Sequence, residues 1–445
     1  MATTRWLSTN QARLYFLLLC SASMCFYRSH LPLVPGAAAM SSSLVRAKGL
    51  TDLYPRWYGS RELLLHHRDP YGADVTREIQ IAYYGKELRP SRAGDATDEQ
   101  RFAYPLYVVF FLAPTIKMQF DTVRVVFWWL LAAVAALSLA LWLSAIRVQL
   151  SKLALATLFA MVLTSIPVAQ GLSLLQLGLL VSCFLAGAGA AAVSGHLFLA
   201  GMLLALATIK PQLSILAIAW FVLWVSGNWR QRRSLLWGFA ATLAVLIFAS
   251  EWLLPGWVVR YPSALIAYAK YTGATSLLAV FLPSILGRLI ASIGLIAAAM
   301  FCWRMRQQPA HSPWFILAFA VALSLTVTVI PAVVPPYNHV LLLPAVLLII
   351  RHWKEVWSKD LVSRIAGAFL CGLALLPWLL ALVVATALLI PRHASAVKMG
   401  LVPLYVSLEL PFAVLGLLIL LIRVLPTNSP AAVTPRPDIF RTAKT

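Results

Sequence analysis

Residues 122–146 read TVRVVFWWLLAAVAALSLALWLSAI and include a single charged residue, Arg124. An α-helix needs about 20 apolar residues to cross the hydrocarbon core of a membrane, which is roughly 30 Å thick. The whole chain of 445 residues is 61% hydrophobic and 11% charged, whereas soluble proteins carry about 25% charged residues. Such a chain cannot cover a surface that faces water, so we expect an all-α protein with lipid as its solvent.

Similar apolar stretches recur along the chain, as in a polytopic helical bundle. We expect about 11 to 13 membrane helices in one transmembrane domain, residues 1–425, followed by a proline-rich, disordered cytoplasmic tail, residues 426–445. Two stretches, 103–115 and 196–209, are too short to cross without bending. The candidate spans lie near residues 12–29, 103–115, 122–146, 152–169, 172–193, 196–209, 211–227, 234–254, 276–303, 313–334, 338–351, 364–390 and 400–424.

The chain has 36 Lys and Arg residues against 15 Asp and Glu residues, which gives a net charge of +21. In a soluble protein this excess would indicate a nucleic-acid partner, but in membrane proteins basic residues collect in cytoplasmic loops. Clusters around Arg230, Arg304, Arg351 and Arg423 fall between or after the predicted spans. We therefore interpret the positive net charge as a consequence of the membrane topology, and we expect membrane lipids, not nucleic acid, as partners.

These basic clusters also determine the expected topology. Successive clusters after residue 228 enclose pairs of spans, so all of them share one side, and Arg5 and Arg13 place the N-terminus there too. Seven candidate spans precede Arg230, and an odd number of crossings would put Arg230 on the opposite side. One of the seven must therefore be re-entrant or must merge with a neighbour.

The longest outward connection, residues 30–102, differs in kind from the others. It holds nine of the 15 acidic residues. Its stretch from Tyr58 to His67, YGSRELLLHH, is typical of a short amphipathic helix that lies along a membrane surface. Because a base that acts outside the membrane needs a titratable group, this connection is the first place to look for catalytic residues.

Asp52 is the acid in this connection with the most unusual neighbours. A carboxylate that is partly desolvated among apolar residues at the membrane border could act as a general base. The simpler interpretation is that Asp52 caps the next turn or pairs with Arg56. Aromatic rings often stack against the apolar face of a sugar, and those near Asp52 are Tyr54, Trp57, Tyr58 and, after Asp69, Tyr71.

Lys210 interrupts an apolar stretch and is followed by Pro211. Ionisable residues within a membrane are costly and usually functional, and a proline breaks or kinks a helix. About 17 residues, close to one full crossing, separate Lys210 from the cluster at Arg230, so Lys210 should lie near the outer face and could meet a lipid phosphate there. Alternatively, its side chain snorkels to the interface.

Two further polar sites interrupt the apolar runs. Tyr337 and His339 lie in a predicted outward turn that opens the next helix. His339 could hydrogen-bond a phosphate or a sugar hydroxyl, or it could be a solvated loop histidine. Gln170 and Gln176 mark a second break between two apolar runs.

The sequence also narrows the choice of donor. It contains no DxD pair, no glycine-rich phosphate loop and no cysteine–histidine cluster, so we expect neither a cofactor nor a metal site, and a nucleotide-sugar donor is disfavoured. A lipid that carries a single phosphate needs only basic residues around it. Arg56, Arg61 and Lys210 could supply them.

Several motifs, in this order along the chain, resemble glycosyltransferase family 87 of the GT-C superfamily. They are Asp52-Leu53-Tyr54 with Asp69-Pro70-Tyr71, Phe102-Ala103-Tyr104-Pro105, Gln170-Gly171 with Gln176, Lys210-Pro211, and Tyr337 to Pro344. Two positions depart from the family pattern. The Gln170-Gly171 order is reversed, and His66-His67-Arg68 stands before Asp69, where many members carry glycine.

The resemblance implies a GT-C bundle that transfers a sugar, typically mannose, from a polyprenyl phosphate to an acceptor hydroxyl on a glycan or glycolipid, with inversion and without a metal. Asp52 would be the general base. The residues that would hold the donor phosphate or sugar are Lys210, His339, Tyr337, Arg56 and Arg61. The substrate loop would contain Tyr54, Trp57, Tyr58, Asp69, Tyr71, Tyr104, Gln170 and Gln176.

We expect a multi-pass protein of a bacterial-type inner (plasma) membrane, with its active site on the periplasmic or extracellular side. Two alternatives remain at this point. A transporter or flippase for lipid-linked saccharides would line a mid-membrane cavity with polar groups. A noncatalytic envelope-assembly protein would not need Asp52.

Overall fold

The computed structural model describes residues 2–30, 50–89, 95–96, 98–273, 275–389 and 401–425, with side chains from residue 11 onward. Over these residues the chain forms helices and short turns and no β-strand, which confirms the predicted all-α fold. The predicted tail, 426–445, lies outside the described residues. The helices are Ala2–His30, Tyr54–His66, Ala73–Tyr84, Val108–Leu112, Phe120–Ile146, Lys152–Thr164, Ile166–Ser173, Gly178–Val193, Leu197–Leu206, Pro211–Ser226, Trp229–Leu253, Trp257–Thr272, Leu277–Phe281, Ser284–Met305, Pro313–Val329, Leu343–Arg351, Trp353–Lys359, Leu361–Leu389, Val402–Val406 and Leu410–Val424.

Many of these helices are apolar enough to enter a membrane. Within the described ranges, six are also long enough to cross it, or seven if a pair that bends by 50° counts as one span. The six are Phe120–Ile146, Trp229–Leu253, Trp257–Phe281, Ser284–Met305, Leu361–Leu389 and Val402–Val424, and the bent pair is Lys152–Thr164 with Ile166–Ser173. Shorter apolar helices, such as Gly178–Val193 and Pro211–Ser226, occupy other predicted spans. The chain is therefore a multi-pass membrane protein, in which several predicted spans are short or bent.

The segment 103–115 does not form a membrane-crossing helix, although it was among the candidate spans. It contains the five-residue helix Val108–Leu112, which ends in the 3-10 turn Ala113–Thr115. Five residues rise only about 7.5 Å, whereas the hydrocarbon core is about 30 Å thick. Without this segment, six candidate spans precede Arg230, an even number that agrees with the side predicted for Arg230 from the basic clusters.

Contacts between connecting segments divide the bundle into two faces. On the loop face, which carries residues 50–89 and 98–104, the backbone N–H of Asp52 donates to Leu174 O (3.1 Å). On the basic face, the guanidinium of Arg232 donates to the carbonyl oxygen of Arg306 (2.7 Å), so two of the basic clusters lie together. The separation of acidic loop and basic turns is the pattern that the positive-inside rule describes.

Trp257–Thr272 lies along the loop face, although the longer stretch Trp257–Phe281 is apolar enough to cross a membrane. Near its start, Arg260 Nη1 donates to Asp69 Oδ2 (2.8 Å). Near its end, the Tyr271 hydroxyl donates to Ala96 O (2.9 Å). Because both ends contact the first outward connection, this helix runs parallel to the loop face, and we call it the cover helix.

The short helix Leu197–Leu206 packs against its neighbour through glycines. A Cβ atom on Gly201 would lie 1.9 Å from Leu235 O, and one on Gly238 would lie 2.1 Å from Phe198 O. Lipid tails are as apolar as leucine, so membrane helices associate through close packing of small residues more than through the hydrophobic effect. These two glycines hold in place the helix that leads to Lys210.

The described part of the first outward connection contains two surface helices. Tyr54–His66 begins at Tyr54 rather than at the expected Tyr58 and buries much of its length. The second, Ala73–Tyr84, has the amphipathic pattern, because Val75, Ile79 and Tyr83 are buried along one side. Both helices fold against the bundle, which gives Asp52 a defined position beside it.

Candidate active site

Asp52 stands just before the first surface helix. Leu53 is the cap residue of Tyr54–His66, and Pro55 occupies its first turn, where a proline costs no helical hydrogen bond. The backbone N–H of Asp52 donates to Leu174 O, which ties the start of this helix to the bundle. This connection brings the Asp52 carboxylate to the break between two membrane helices.

Gln176 lies in that break, between Ile166–Ser173 and Gly178–Val193. The preceding residue, Leu175, has a φ of 52°, a left-handed conformation that is strained for a branched side chain and is often found at functional sites. The Gln176 side chain is buried, and its Nε2 atom donates a hydrogen bond to Asp52 Oδ2. The strained turn thus directs an amide onto the carboxylate.

Lys210 lies in a second break, between the 3-10 turn Ala207–Ile209 and the helix Pro211–Ser226. It is only 6% exposed. Its ammonium donates to Gln176 Oε1 (3.2 Å) and lies 5.0 Å from the centre of the Tyr337 ring, a cation–π distance. The predicted break is therefore present, and Lys210 points into the protein instead of snorkelling to the interface.

The two partners of Gln176 determine the orientation of its amide. An ammonium has three donors and no acceptor, so the amide oxygen must face Lys210. The nitrogen must then face Asp52, because an ionised carboxylate only accepts. The Gln176 amide therefore joins the Asp52 carboxylate to the Lys210 ammonium. Oxygen and nitrogen of an amide are hard to distinguish from coordinates alone, but the donors and acceptors around Gln176 allow only this orientation.

Arg56 adds a second positive charge beside Asp52. Its Nη1 atom donates to the backbone oxygen of Asp52 (2.7 Å), and its guanidinium lies 4.7 Å from the centre of the Tyr104 ring. Burial disfavours the charge, but the surrounding Tyr104, Tyr268 and Asp52 oxygens outweigh it, so the pKa of Arg56 lies above its ordinary value. Arg56 therefore remains positively charged.

These residues surround a cavity of about 470 Å³ on the loop face. The volume falls within the usual range for small-molecule sites. Predicted site residues on its wall are Asp52, Arg56, Tyr104, Gln170, Gln176, Lys210 and Tyr337. Gln170 also fixes this wall, because its Oε1 accepts from the backbone N–H of Tyr337 (3.0 Å). Residues from five separate parts of the sequence thus meet in one cavity.

The other predicted site residues do not line this cavity. Among the aromatic residues after Asp52, Trp57 donates its Nε1 hydrogen to Thr115 O (3.2 Å) in the core, and Tyr58 donates to Glu78 Oε2 (2.8 Å). Tyr54 packs among Tyr58, Tyr83 and Phe120. These side chains hold the surface helices together.

The remaining predicted residues also have packing or ion-pair contacts. The Tyr71 hydroxyl donates to Tyr104 O, and the Asp69 carboxylate accepts from Arg260. The Arg61 guanidinium lies over the Trp57 ring. His339 is only 2% exposed and is not on the cavity wall.

Sequence reasoning missed several polar residues of the wall. Three of them are Asp98, Gln100 and Tyr268, of which Tyr268 belongs to the cover helix. Asp98 and Gln100 stand immediately before the Phe102-Ala103-Tyr104-Pro105 motif. Their position beside this motif could have marked them as candidate site residues. Nothing in the local sequence indicates that the cover helix returns over the first outward connection.

A comparison with known protein families identifies the chemistry. The family model described as glycosyltransferase family 87 matches residues 102–331, which is more than half of the 445 residues. No curated protein and no solved structure matches the chain. The matched segment includes the wall residues Tyr104, Gln170, Gln176 and Lys210. The wall residues Asp52 and Tyr337 lie outside the matched segment. The chain therefore belongs to glycosyltransferase family 87 and is a membrane glycosyltransferase.

Proposed function

We propose that this enzyme transfers a sugar, with mannose as the first candidate, from a polyprenyl phosphate to a hydroxyl of a glycan or glycolipid. Asp52 is the general base and Lys210 binds the donor phosphate. The observation that carries this proposal is the chain of contacts Asp52–Gln176–Lys210, which places a carboxylate and an ammonium on the wall of one cavity.

The reaction is a single displacement. The acceptor hydroxyl gives its proton to the Asp52 carboxylate while its oxygen forms a bond to the anomeric carbon of the donor. The bond between that carbon and the phosphate oxygen breaks, and the electron pair leaves with the phosphate. One base is sufficient, because the phosphate departs as an anion without a proton from the enzyme. Attack opposite the leaving group inverts the anomeric centre.

The buried positive charges suit the leaving group. Lys210 is held beside Tyr337, and Arg56 is close to Asp52, so a phosphate in the cavity would meet two cations in a place with little water. Electrostatic interactions are stronger in such a place than in solution. In many nucleotide-sugar enzymes a metal ion neutralises the phosphate charge. Here the two cations would do so, and for this reason the proposed reaction is metal-independent.

The proposed location follows from charge. Arg232 and Arg306 meet on the basic face, and basic turns favour the cytoplasmic side. The loop face and its cavity would then open to the periplasm or the extracellular space in a bacterial-type plasma membrane. A transporter would line a mid-membrane cavity with polar groups, whereas the polar wall residues here lie on the loop face, and a noncatalytic protein would not need Asp52.

The test uses purified protein, polyprenyl-phosphate mannose and a panel of glycan and glycolipid acceptors. We expect transfer by the wild type and a loss of about 100-fold or more in Asp52→Asn, as expected when a general base is removed. Asp74→Asn is the matched control, since Asp74 is an exposed carboxylate of the same connection. Unchanged turnover in Asp52→Asn would contradict the assignment of the base. Movement of lipid-linked sugar across vesicles without transfer would instead indicate a flippase.

A further inference from the structure

The cavity wall contains a second polar cluster that the proposed transfer step does not use. Asp98 and Gln100 come from the end of the first outward connection, and Tyr268 comes from the cover helix. Gln100 Nε2 donates to Asp98 Oδ2, and the Tyr268 hydroxyl donates to Asp98 Oδ1 (3.3 Å). We refer to these three residues as the Asp98 cluster.

Gln100 carries the observation that points to a ligand. Its side chain is only 2% exposed, and its Oε1 atom is buried without a hydrogen-bond partner among the residues that the structure describes. Its Nε2 atom is already committed to Asp98. An acceptor that is buried and unpaired destabilises the protein. A ligand that brings a donor to Gln100 Oε1 would remove this destabilisation.

The rest of the first outward connection holds the cluster in place. Tyr84 donates its hydroxyl to Asp98 O (2.7 Å), and Gln80 Nε2 donates to Glu99 O (3.2 Å). Both come from the amphipathic surface helix Ala73–Tyr84. Gln100 itself has a φ of 54°, so neighbouring contacts maintain a strained backbone there. The unpaired Oε1 atom is thus fixed in position.

The charge of the cluster selects the kind of ligand. Asp98 repels a phosphate, whereas a carboxylate and an amide oxygen both accept hydrogen bonds from neutral hydroxyl groups. The donor phosphate belongs with Lys210 in the proposed function. The acceptor sugar has to approach Asp52 from another part of the cavity, and the Asp98 cluster offers hydrogen-bond acceptors for hydroxyl groups on the same wall.

We propose that Asp98, Gln100 and Tyr268 form the acceptor subsite and bind the hydroxyl groups of a neutral saccharide. This inference rests on the proposed function for the identity of the donor end of the cavity. It assigns the sugar that carries the attacking hydroxyl to the space between the cover helix and residues 98–104. A site built to hydrogen-bond a substrate hydroxyl strongly rejects analogues that lack it.

The first experiment measures kinetics of Gln100→Met, which keeps the side-chain length and removes the acceptor, and of Asp98→Asn. We expect the acceptor KM to rise about 10-fold or more in each, while the donor KM stays unchanged. Lys270→Met is the control, because Lys270 is an exposed residue of the same helix and does not line the cavity. An unchanged acceptor KM, or a rise in the donor KM instead, would overturn the subsite.

A second experiment separates the subsite from the reaction. Thermal stabilisation of the protein is measured with methyl glycosides of mannose, glucose and galactose, with their single-deoxy analogues, and with inorganic phosphate. We expect Gln100→Met to lose the response to a glycoside and to keep the response to phosphate, while Lys210→Met does the reverse. Retained glycoside binding in Gln100→Met contradicts the subsite. Gln100-dependent glycoside binding in a protein that transfers no sugar supports the subsite and refutes only the proposed reaction.

Discussion

Gln176 donates its side-chain amide to the carboxylate of Asp52, although 124 positions separate the two residues in the sequence. The other end of the same amide accepts a hydrogen bond from Lys210. Asp52 precedes a surface helix, whereas Gln176 and Lys210 each occupy a break between membrane helices. The three breaks in regular structure therefore meet at one point. Polar side chains are disfavoured in a helix that faces lipid, but at these breaks they face one another and the cavity.

Replacement of Gln176 tests whether this amide positions the base. Gln176→Met keeps the shape and removes both hydrogen bonds, so the carboxylate of Asp52 loses the group that orients it. We expect kcat to fall about 10-fold to 100-fold, with a smaller change in the donor KM, in steady-state transfer assays.

Gln176→Glu is the companion variant. Glutamate can still accept from Lys210, but it has no N–H to donate and places a second negative charge beside Asp52. We expect kcat at least as low as in Gln176→Met. If both variants transfer sugar at the wild-type rate, Gln176 serves packing alone.

Lys210→Met tests phosphate binding. The substitution removes the charge and retains an apolar side chain of similar length, so we expect the donor KM to rise about 10-fold to 100-fold, as for the loss of a hydrogen bond to a charged group. The acceptor KM should change little. Lys117→Met is the control, because Lys117 is exposed and is not on the cavity wall. An effect confined to the acceptor would place the donor phosphate elsewhere.

The ion pairs of the surface helices predict a response to acid. Arg68 contacts Asp74 and Glu78 at 2.8 Å each, and its hydrogen bonds lower the pKa of Asp74 from its ordinary 3.8 and the pKa of Glu78 from its ordinary 4.5. A carboxylate with a lowered pKa stabilises the fold above its unfolded-state pKa, and this stabilisation is lost as the pH falls through the lowered value.

We therefore expect residues 73–84 to lose hydrogen-exchange protection once the pH drops below about 4.5, after correction for the intrinsic exchange rate. Glu78→Gln should reduce this protection already at neutral pH, because it removes one carboxylate from Arg68. The buried helix Pro313–Val329 is the internal reference. Equal protection of residues 73–84 at pH 7 and in acid would show that these ion pairs do not stabilise the surface helix.

Gly201→Ala tests the close helix contact. The new methyl group would meet the backbone oxygen of Leu235, which cannot move aside cheaply. We expect a loss of about 1–3 kcal/mol, seen as a lower temperature at which the detergent-solubilised protein aggregates. Gly372→Ala is the control, since a Cβ there meets no described atom within 4 Å. If the two variants aggregate at the same temperature, the helices can separate without cost.

Composition and local pattern decided the class of the protein and several of its site residues. A helix in lipid must satisfy its own backbone and exclude charge, so apolar stretches such as residues 122–146 predict helices directly. The same rule makes an interruption conspicuous, and for this reason Asp52, Lys210 and Gln176 could be selected from sequence. The wall of the cavity contains all three.

Only the tertiary structure decided how these residues are combined. Tyr54 and Trp57 resemble sugar platforms in sequence, yet they pack the surface helices, because an aromatic ring suits a protein core as well as a sugar. The candidate spans leave residues 255–275 as a connection, but only the contacts of Arg260 and Tyr271 show that the cover helix in this connection lies against the first outward connection. Whether a polar residue faces a cavity, a core or lipid depends on contacts between segments far apart in the chain. Local sequence does not specify those contacts.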